Sequence, residues 1–581
     1  MNEIKECLKK EINRLFGVDF EVEVVPAPEN QVADYASNCA MRVAGMLKAK
    51  GEARASREIA ETIAKEIEAS DLGFSVEVAG PGFLNFIARD EYWKTKLAEM
   101  EADFDKNISC DEYSGKTVIC EFSDPNPFKV LHVGHLYTSI VGDSISRLVE
   151  FAGGKVIRAN FGGDVGLHVA KTLYALTASA SSSSVDALLA HGTQSTARSA
   201  TPASSNKLDA ESALTIEQIA KAYVVGTRLY EDDEEAKTKI IELNKEIYQI
   251  AENDVHDTEL AKLYWQGREM SYQYFKDFYK RVGVKFDKYY PESTVAKRGL
   301  SEVKAHVGDV YEESNGAVVF PGEKYDLHTR VFINAEGLPT YEAKDVGLIF
   351  TKWDDYKFDK SIVITGNDII DYMKVVLKSI SLYAPELVER TKHITHGNVR
   401  LPGNEKMSSR KGNFIKAVDV LDTVNKLVDN EMIAMGAIKY AFLKYKIGGN
   451  IEFDAKESVS TTGNSGVYLQ YSAVRAKKIL KGLSKADEAD FAKWELNENE
   501  KKLIAKLAQY GNVLKDALSD FAPHKVASYL YETAQEFSRF YENVKVAGSK
   551  YENERATLVK VYLDVMTHGL NILGIEIPEE M

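Results

Sequence analysis

Two short stretches of the chain carry residue types able to handle the phosphates of a nucleotide. The first is His132-Val133-Gly134-His135. Three positions apart at the start of a helical pattern, the two imidazoles share one face of its first turn. A helix N-terminus favours an anion through its free N–H groups and its dipole. Gly134 removes a side chain, so a flat ring could approach the backbone. Together these features suit an adenine nucleotide whose phosphates lie along the histidines. With 11 His and 38 Gly in 581 residues, chance gives about 0.01 matches to His-x-Gly-His. The second stretch, Lys406-Met407-Ser408-Ser409-Arg410-Lys411-Gly412, sets several cations and two hydroxyls on a loop that ends in glycine. Such a loop can hold a pyrophosphate as its negative charge grows. Alone it would read as a solvated basic loop; paired with the histidines it reads as part of the same site.

A strand, a helix and a second strand must position the first stretch. Residues 117–123 (TVICEFS) are a continuous apolar strand, and residues 132–154 form a helix with Leu136, Ile140 and Leu148 on one face. Residues 155–161 (KVIRANF) form the second strand, and 360–366 (KSIVITG) a further one. This β-α-β order predicts a parallel, doubly wound sheet. Neither G-x-G-x-x-G nor G-x-x-x-x-G-K-[ST] stands at the first turn, which excludes a dinucleotide fingerprint and a P-loop there.

Around this unit the chain changes character. Residues 1–105 read as a small α+β unit: a helix with Ile4, Leu8, Ile12 and Leu15 on one face, an alternating FEVEVVPAP, helices over 36–48 and 56–68, and a strand-turn-strand in SVEVAGPGFLNFIA. The polar stretch 103–113 reads as a linker. Residues 178–207, rich in Ser, Ala and Thr, read as a flexible insertion. After about Asp454 the pattern is all helical, as in a bundle.

Length and composition narrow the class. A chain of 581 residues suggests two to four domains. Lys+Arg of 73 against Asp+Glu of 88 gives a net charge of −15, which excludes a uniformly basic nucleic-acid coat but not local basic patches. One such patch lies between Glu457 and Asp487, where Arg475, Lys477, Lys478, Lys481 and Lys485 meet no acid and Tyr468 and Tyr471 stand nearby. Cations there could take RNA phosphates, and the rings unstacked bases; taken alone, the run reads equally well as a solvated basic helix face. No run of eighteen apolar residues occurs, and the charged first twenty residues read as an amphipathic helix, not a signal peptide. Cys7, Cys39, Cys110 and Cys120 include no CxxC pair, so a zinc knuckle or disulfide framework is not expected, and reduced thiols suit the cytoplasm.

HVGHL and KMSSR resemble the two signature motifs of class I aminoacyl-tRNA synthetases, and nearly the whole chain is similar to the arginyl-tRNA synthetases. The likeness runs in order through ADYASNCAMRVAGMLK, VEVAGPGFLNF, CEFSDPNPFKVLHVGHL, GLPTYEAKDVGL, VYLQYSAVRAKKIL, PHKVASYLYETAQEFSRFYENV and LGIEIPEEM; only 178–207 lies clearly outside. The resemblance implies an α/β fold: a Rossmann-like catalytic domain with a doubly wound parallel sheet, an N-terminal α+β domain and a C-terminal all-helical bundle. Its expected bounds are 1–110 for a tRNA-elbow-binding domain, 111–410 for the catalytic domain, 411–455 for a stem-contact region and 456–581 for an anticodon-binding domain. It further implies a monomeric, cytoplasmic ligase that turns L-arginine and ATP into arginyl-adenylate and pyrophosphate, then charges the 3′-terminal adenosine of tRNA(Arg). ATP with Mg²⁺ is substrate, with no permanent cofactor, metal site or membrane. Relatives form the adenylate only when tRNA is bound.

Residue by residue, the resemblance assigns His132, His135, Lys129, Lys406, Ser408 and Arg410 to catalysis, and His132, Gly134, His135, His396, Lys406 and Met407 to ATP. A guanidinium, with five donors and a fixed charge, needs carboxylates and hydroxyls in a partly dry pocket. Asp345 and Glu121 would take the guanidinium and α-amino charges, Tyr341 would shape the slot, and Asn126 with His132 would hold the carboxylate. Phe83, Asn85, Tyr468, Tyr471, Arg475 and Lys478 are assigned to tRNA. The chain departs from the family's pattern in places. Ile369 and Tyr372 stand where a Gln and a His are usual, with Asp368 as a substitute within reach, and Val165 stands for a Trp. Ser409 replaces a phosphate-steadying lysine, and Lys129, three residues ahead of His132, is where relatives lacking that lysine carry one. The alternatives are a class I synthetase for another amino acid, a small nucleotidyltransferase, and a catalytically silent tRNA-binding protein. The C-terminal helices tell against the second, and intact His132, His135 and Lys406 against the third.

Overall fold

Five strands build the sheet behind the first signature: β1 (Thr117–Glu121), β2 (Lys155–Gly162), β3 (Lys288–Pro291), β4 (Lys360–Gly366) and β5 (Thr391–His396). All neighbours are parallel, in the order β5-β4-β1-β2-β3. Val118, Ile119 and Cys120 of β1 are fully buried, as expected where helices cover both faces of a parallel sheet. The doubly wound architecture expected from the β-α-β pattern is thus observed. Strand order reverses between β1 and β4, so the crevice outside their carboxyl ends is where such a sheet binds ligands.

The computed structural model describes residues 2–27, 33–70, 72–181, 214–400, 402, 415–483 and 489–581. Lys406, Met407, Ser408, Ser409 and Arg410, and all but the start of 178–207, therefore lie outside the described residues. The chain divides into two compact units. One comprises Met1–Ile108, Arg475–Asn512 and Glu532–Met566; the other comprises Ser109–Val474, Val513–Tyr531 and Thr567–Met581.

In the second unit, α1 (Val133–Phe151) follows β1 and packs so closely that a Cβ on Gly142 would stand 2.1 Å from the Phe122 ring. Between β2 and β3 come α2 (Leu167–Ser181), α3 (Ile216–Asp232), α4 (Glu234–Glu252) and α5 (Glu259–Val282). Next follow α6 (Glu292–Ala305) and, before β4, α7 (Tyr341–Tyr356).

The first unit holds a four-stranded antiparallel sheet, and two local expectations fail there. The helix expected over 36–48 begins only at Cys39, because Tyr35–Ser37 pairs with Leu84, Asn85 and Phe86 as a strand. Sheet pairing overrides the helical pattern of that segment. The expected linker 103–113 contains a helical turn, Phe104–Ile108, with Ile108 buried and Phe104 stacked on Tyr510 (6.4 Å). Two apolar side chains four residues apart suffice to dock it.

Candidate active site

The first signature opens α1, with His132 as N-cap and His135 at the third helical position. The Gly134 N–H donates to His132 Nδ1 (3.1 Å), and the His132 N–H donates to His135 Nδ1 (3.2 Å). This is a capping box in which two imidazoles replace the usual hydroxyl and carboxylate. Since both Nδ1 atoms accept, hydrogen bonding assigns the proton of each neutral ring to Nε2. Burial, and then the nearby Lys129 charge, lowers His132 to about 4. Burial, then His132 and Lys129, holds His135 well below its ordinary value. Both rings are therefore neutral donors near pH 7.

Here the structure corrects the expectation of an anion resting on open backbone N–H groups. The Val133 N–H donates to Ile415 O (2.9 Å), that of Gly134 to His132 Nδ1, and that of His135 to His132 O (2.9 Å). On each of these imidazoles the donor atom is therefore Nε2. Gly134 also serves a nearer neighbour than an adenine ring, for a Cβ there would stand 2.8 Å from His132 Cε1.

The Val133–Ile415 bond, an Ala417–Leu131 bond (3.0 Å) and a bridge between His132 and Lys416 lay residues 415–417 antiparallel to 131–133. Ile415 follows Arg410 by five residues in the chain. His396 ends β5, buried. Its Nδ1 donates to the Gly397 carbonyl (2.8 Å), leaving Nε2 to accept from the Thr138 hydroxyl (2.6 Å). Both nitrogens brace the fold, so any contact with ATP would use the ring face. Asp368, exposed just after β4, acts to raise both His132 and His396, which sets it on the imidazole side of the crevice.

The loop from β1 to α1 is strained: Ser123, Asp124 and Phe128 have φ of 75°, 47° and 66°. Its last turn is nonetheless fixed. The Phe128 N–H donates to Ser271 Oγ (3.0 Å), its ring stacks on Tyr264 (6.1 Å), and only glycine fits at 267, where a Cβ would stand 2.4 Å from that ring. Lys129 comes next, half-buried, with Nζ 4.7 Å from the Tyr223 ring centroid on α3. Its charge lowers His132, His135 and His168.

The acids expected to meet arginine cluster at the end of β1 and along α7. Glu121 is only 3% exposed, and its carboxylate lies 2.5 Å from Lys352 Nζ, which also donates to Ser361 Oγ (3.1 Å). Glu121 thus already has a cation. Asp345, partly buried, accepts from the Tyr372 hydroxyl. Burial raises Asp345 to about 7; the Tyr372 bond opposes this, and the charges of Glu121 and Glu292 add to it. Burial and Glu121 also push Asp124 well above the ordinary carboxylate range. Asn126 Oδ1 accepts from the Gly163 N–H (2.9 Å). Tyr341, 52% exposed at the start of α7, has Lys344 Nζ 5.1 Å over its ring, and Lys344 in turn pairs with buried Glu292 (2.5 Å). Sequence reasoning missed Lys352, Glu292, Lys344 and Asp124. One signal was available: Lys352 lies seven residues after Asp345, on the same helical face.

Three families match the chain in order. They are the arginyl tRNA synthetase N terminal domain over residues 2–88, the tRNA synthetases class I (R) catalytic domain over 102–187 and 202–454, and the DALR anticodon binding domain over 469–581. The chain belongs to the class I (R) tRNA synthetase family. An arginine–tRNA ligase of Clostridium perfringens is 28% identical, with 100% of this chain and 99% of that protein covered. One of Bacteroides fragilis is 27% identical, with 92% and 91% covered. The fold matches that of the Thermus thermophilus arginyl-tRNA synthetase with a TM-score of 0.75 at 22% identity, over 100% of both chains. The resemblance carried by the two signatures and the expected fold class both hold.

As a synthetase the chain also needs surfaces for RNA. Phe83, 42% exposed, and Asn85 lie two apart on the strand Phe83–Ala88 and so share one face. The helix Gly466–Lys481 carries Tyr468, Tyr471, Arg475 and Lys478. Tyr468 packs edge-on to Tyr531 (5.7 Å), Lys478 is exposed, and the Arg475 guanidinium lies 4.7 Å over the ring of Tyr541. No described helix is long and apolar enough to cross a membrane, and all four cysteines are thiols.

Proposed function

We infer that the chain is an arginine–tRNA ligase, which spends ATP to AMP and pyrophosphate in attaching arginine to tRNA. The observation that carries the residue-level reading is the antiparallel pairing of 131–133 with 415–417. It ties the start of α1 to the segment just after Arg410, so that both signatures serve one set of phosphates. ATP lies along the Nε2–H groups of His132 and His135, while Lys129, Lys406, Ser408 and Arg410 meet the growing charge on the leaving pyrophosphate. Met407 and His396 border the nucleotide, and Mg²⁺ arrives on the phosphates of ATP as part of the substrate.

Arginine enters with its guanidinium on Asp345 and its side chain along Tyr341. Asn126, whose Oδ1 is held by Gly163, turns its Nδ2 donor to the carboxylate. Glu121, fixed by Lys352, faces the α-ammonium with its second oxygen. The carboxylate attacks the α-phosphorus and pyrophosphate leaves. A hydroxyl of the terminal adenosine then attacks the adenylate carbonyl, and AMP leaves. Positioning and charge stabilisation supply the catalysis, with no covalent enzyme intermediate. Residues 1–110 grip the tRNA elbow through Phe83 and Asn85, residues 411–455 the stem, and 456–581 the anticodon through Tyr468, Tyr471, Arg475 and Lys478. We read the protein as a cytoplasmic monomer.

Charging of bulk tRNA with each of the twenty amino acids tests the reading. Arginine alone should be attached, and arginine-dependent pyrophosphate exchange should be nearly silent without tRNA. Charging with a different amino acid, or with none, would overturn it.

A further inference from the structure

We propose that Tyr223 is a positioning residue for adenylate formation: its ring holds the Lys129 ammonium toward the reacting phosphates without neutralising it. The inference rests on the ligase reading above and extends it to a residue outside both signatures. The backbone of Lys129 is fixed by Phe128, which Ser271, Tyr264 and the Gly267 contact lock in place. The side chain is not fixed by its backbone, since a four-carbon stem carries a large rotamer entropy. Something must aim the charge.

A carboxylate would aim it and cancel much of its field. Among the described residues none lies within ion-pair distance of Lys129. Glu292, a carboxylate on which the Lys129 charge acts, is already paired with Lys344 at 2.5 Å. An aromatic face attracts a cation through its quadrupole and leaves the net charge intact, and such a contact is worth a factor of about 2–30 in occupancy. Tyr223 supplies that face at 4.7 Å. The ammonium so held still acts on His132 and His135, the two donors at the start of α1.

Tyr223 itself rides on a fixed element. The Thr215–Gln218 capping box starts α3, with bonds of 3.2 and 2.7 Å. Farther along, Gly226 lets α3 touch the backbone of α2, for a Cβ there would stand 1.9 Å from the Lys171 carbonyl oxygen. The ring is half-buried, so replacing it leaves the packed faces of α3 in place.

The test is steady-state arginylation by the full chain with tRNA, ATP and arginine. Tyr223→Leu should lower kcat about 5- to 20-fold with the KM for ATP within about twofold, whereas Tyr223→Phe, which keeps the ring face, should stay within about twofold of the parent. In a Lys129→Met background, Tyr223→Leu should cost nothing further. Three results would overturn the proposal: normal kcat in Tyr223→Leu, equal loss in Tyr223→Phe, or an undiminished loss in the Lys129→Met background, which marks a structural role. A parent protein that attaches no arginine would instead sink the ligase reading, so the two failures are distinguishable.

Discussion

Where the phosphates of ATP lie in our reading, His132 and His135 are neutral and hydrogen-bonded into the cap of α1. Where arginine lies, Glu121, Asp124 and Asp345 crowd three carboxyls around the Lys352 ammonium, and Asp345 is pushed up to about 7. The contrast follows from the partners. A polyanion that spreads charge as it reacts is served by rigid neutral donors, with separate cations supplying the charge. A cationic side chain is selected by a pocket that is electrostatically incomplete until it arrives. A neutral side chain of similar size would leave that excess of carboxyls uncompensated.

The contrast breaks if the acids are dispensable. Asp345→Ala should cost about 2–5 kcal/mol in arginine kcat/KM, roughly 30-fold to several thousandfold, because the guanidinium would be left without its partner. Arginine kinetics measured with saturating ATP and tRNA check this, and unchanged values would remove Asp345 from the pocket. On the phosphate side the reaction needs a cation that the neutral histidines do not supply. Lys129→Ala should therefore lower kcat by about 10²–10³ while the KM for ATP changes less. Near-normal kcat would mean that the second signature alone carries the charge.

Much of this site was legible because its pattern is local. The apolar strand expected over 117–123, the helix expected over 132–154 and the paired histidines all sit within one β-α-β unit, and its fold followed from that run, with the strand found at Thr117–Glu121 and the helix at Val133–Phe151. The use made of the histidines was not legible. That Nδ1 turns inward to cap α1, and that Ile415 takes the Val133 N–H, depend on backbone geometry and on a partner far along the chain. The pairing of Glu121 with Lys352, 231 positions apart, was hidden for the same reason. Ala36 and Ser37 read as helix locally and become strand because a distant strand takes their hydrogen bonds. Tyr372, noted in the sequence only as a departure from the family, proves to be the donor to Asp345.

The pH dependence of kcat/KM for arginine, which reports groups of the free enzyme, tests the incomplete pocket most directly. Below about 7 Asp345 is protonated and uncharged before arginine binds. The parent enzyme should therefore be flat above that pH and lose kcat/KM as pH falls through it, approaching about tenfold per unit. His132, lowered to about 4, does not contribute to that limb. Asp345→Asn should be slower throughout and show no such limb. A parent profile that stays flat down to pH 5.5, or an Asp345→Asn enzyme with the same acid limb, would contradict the account.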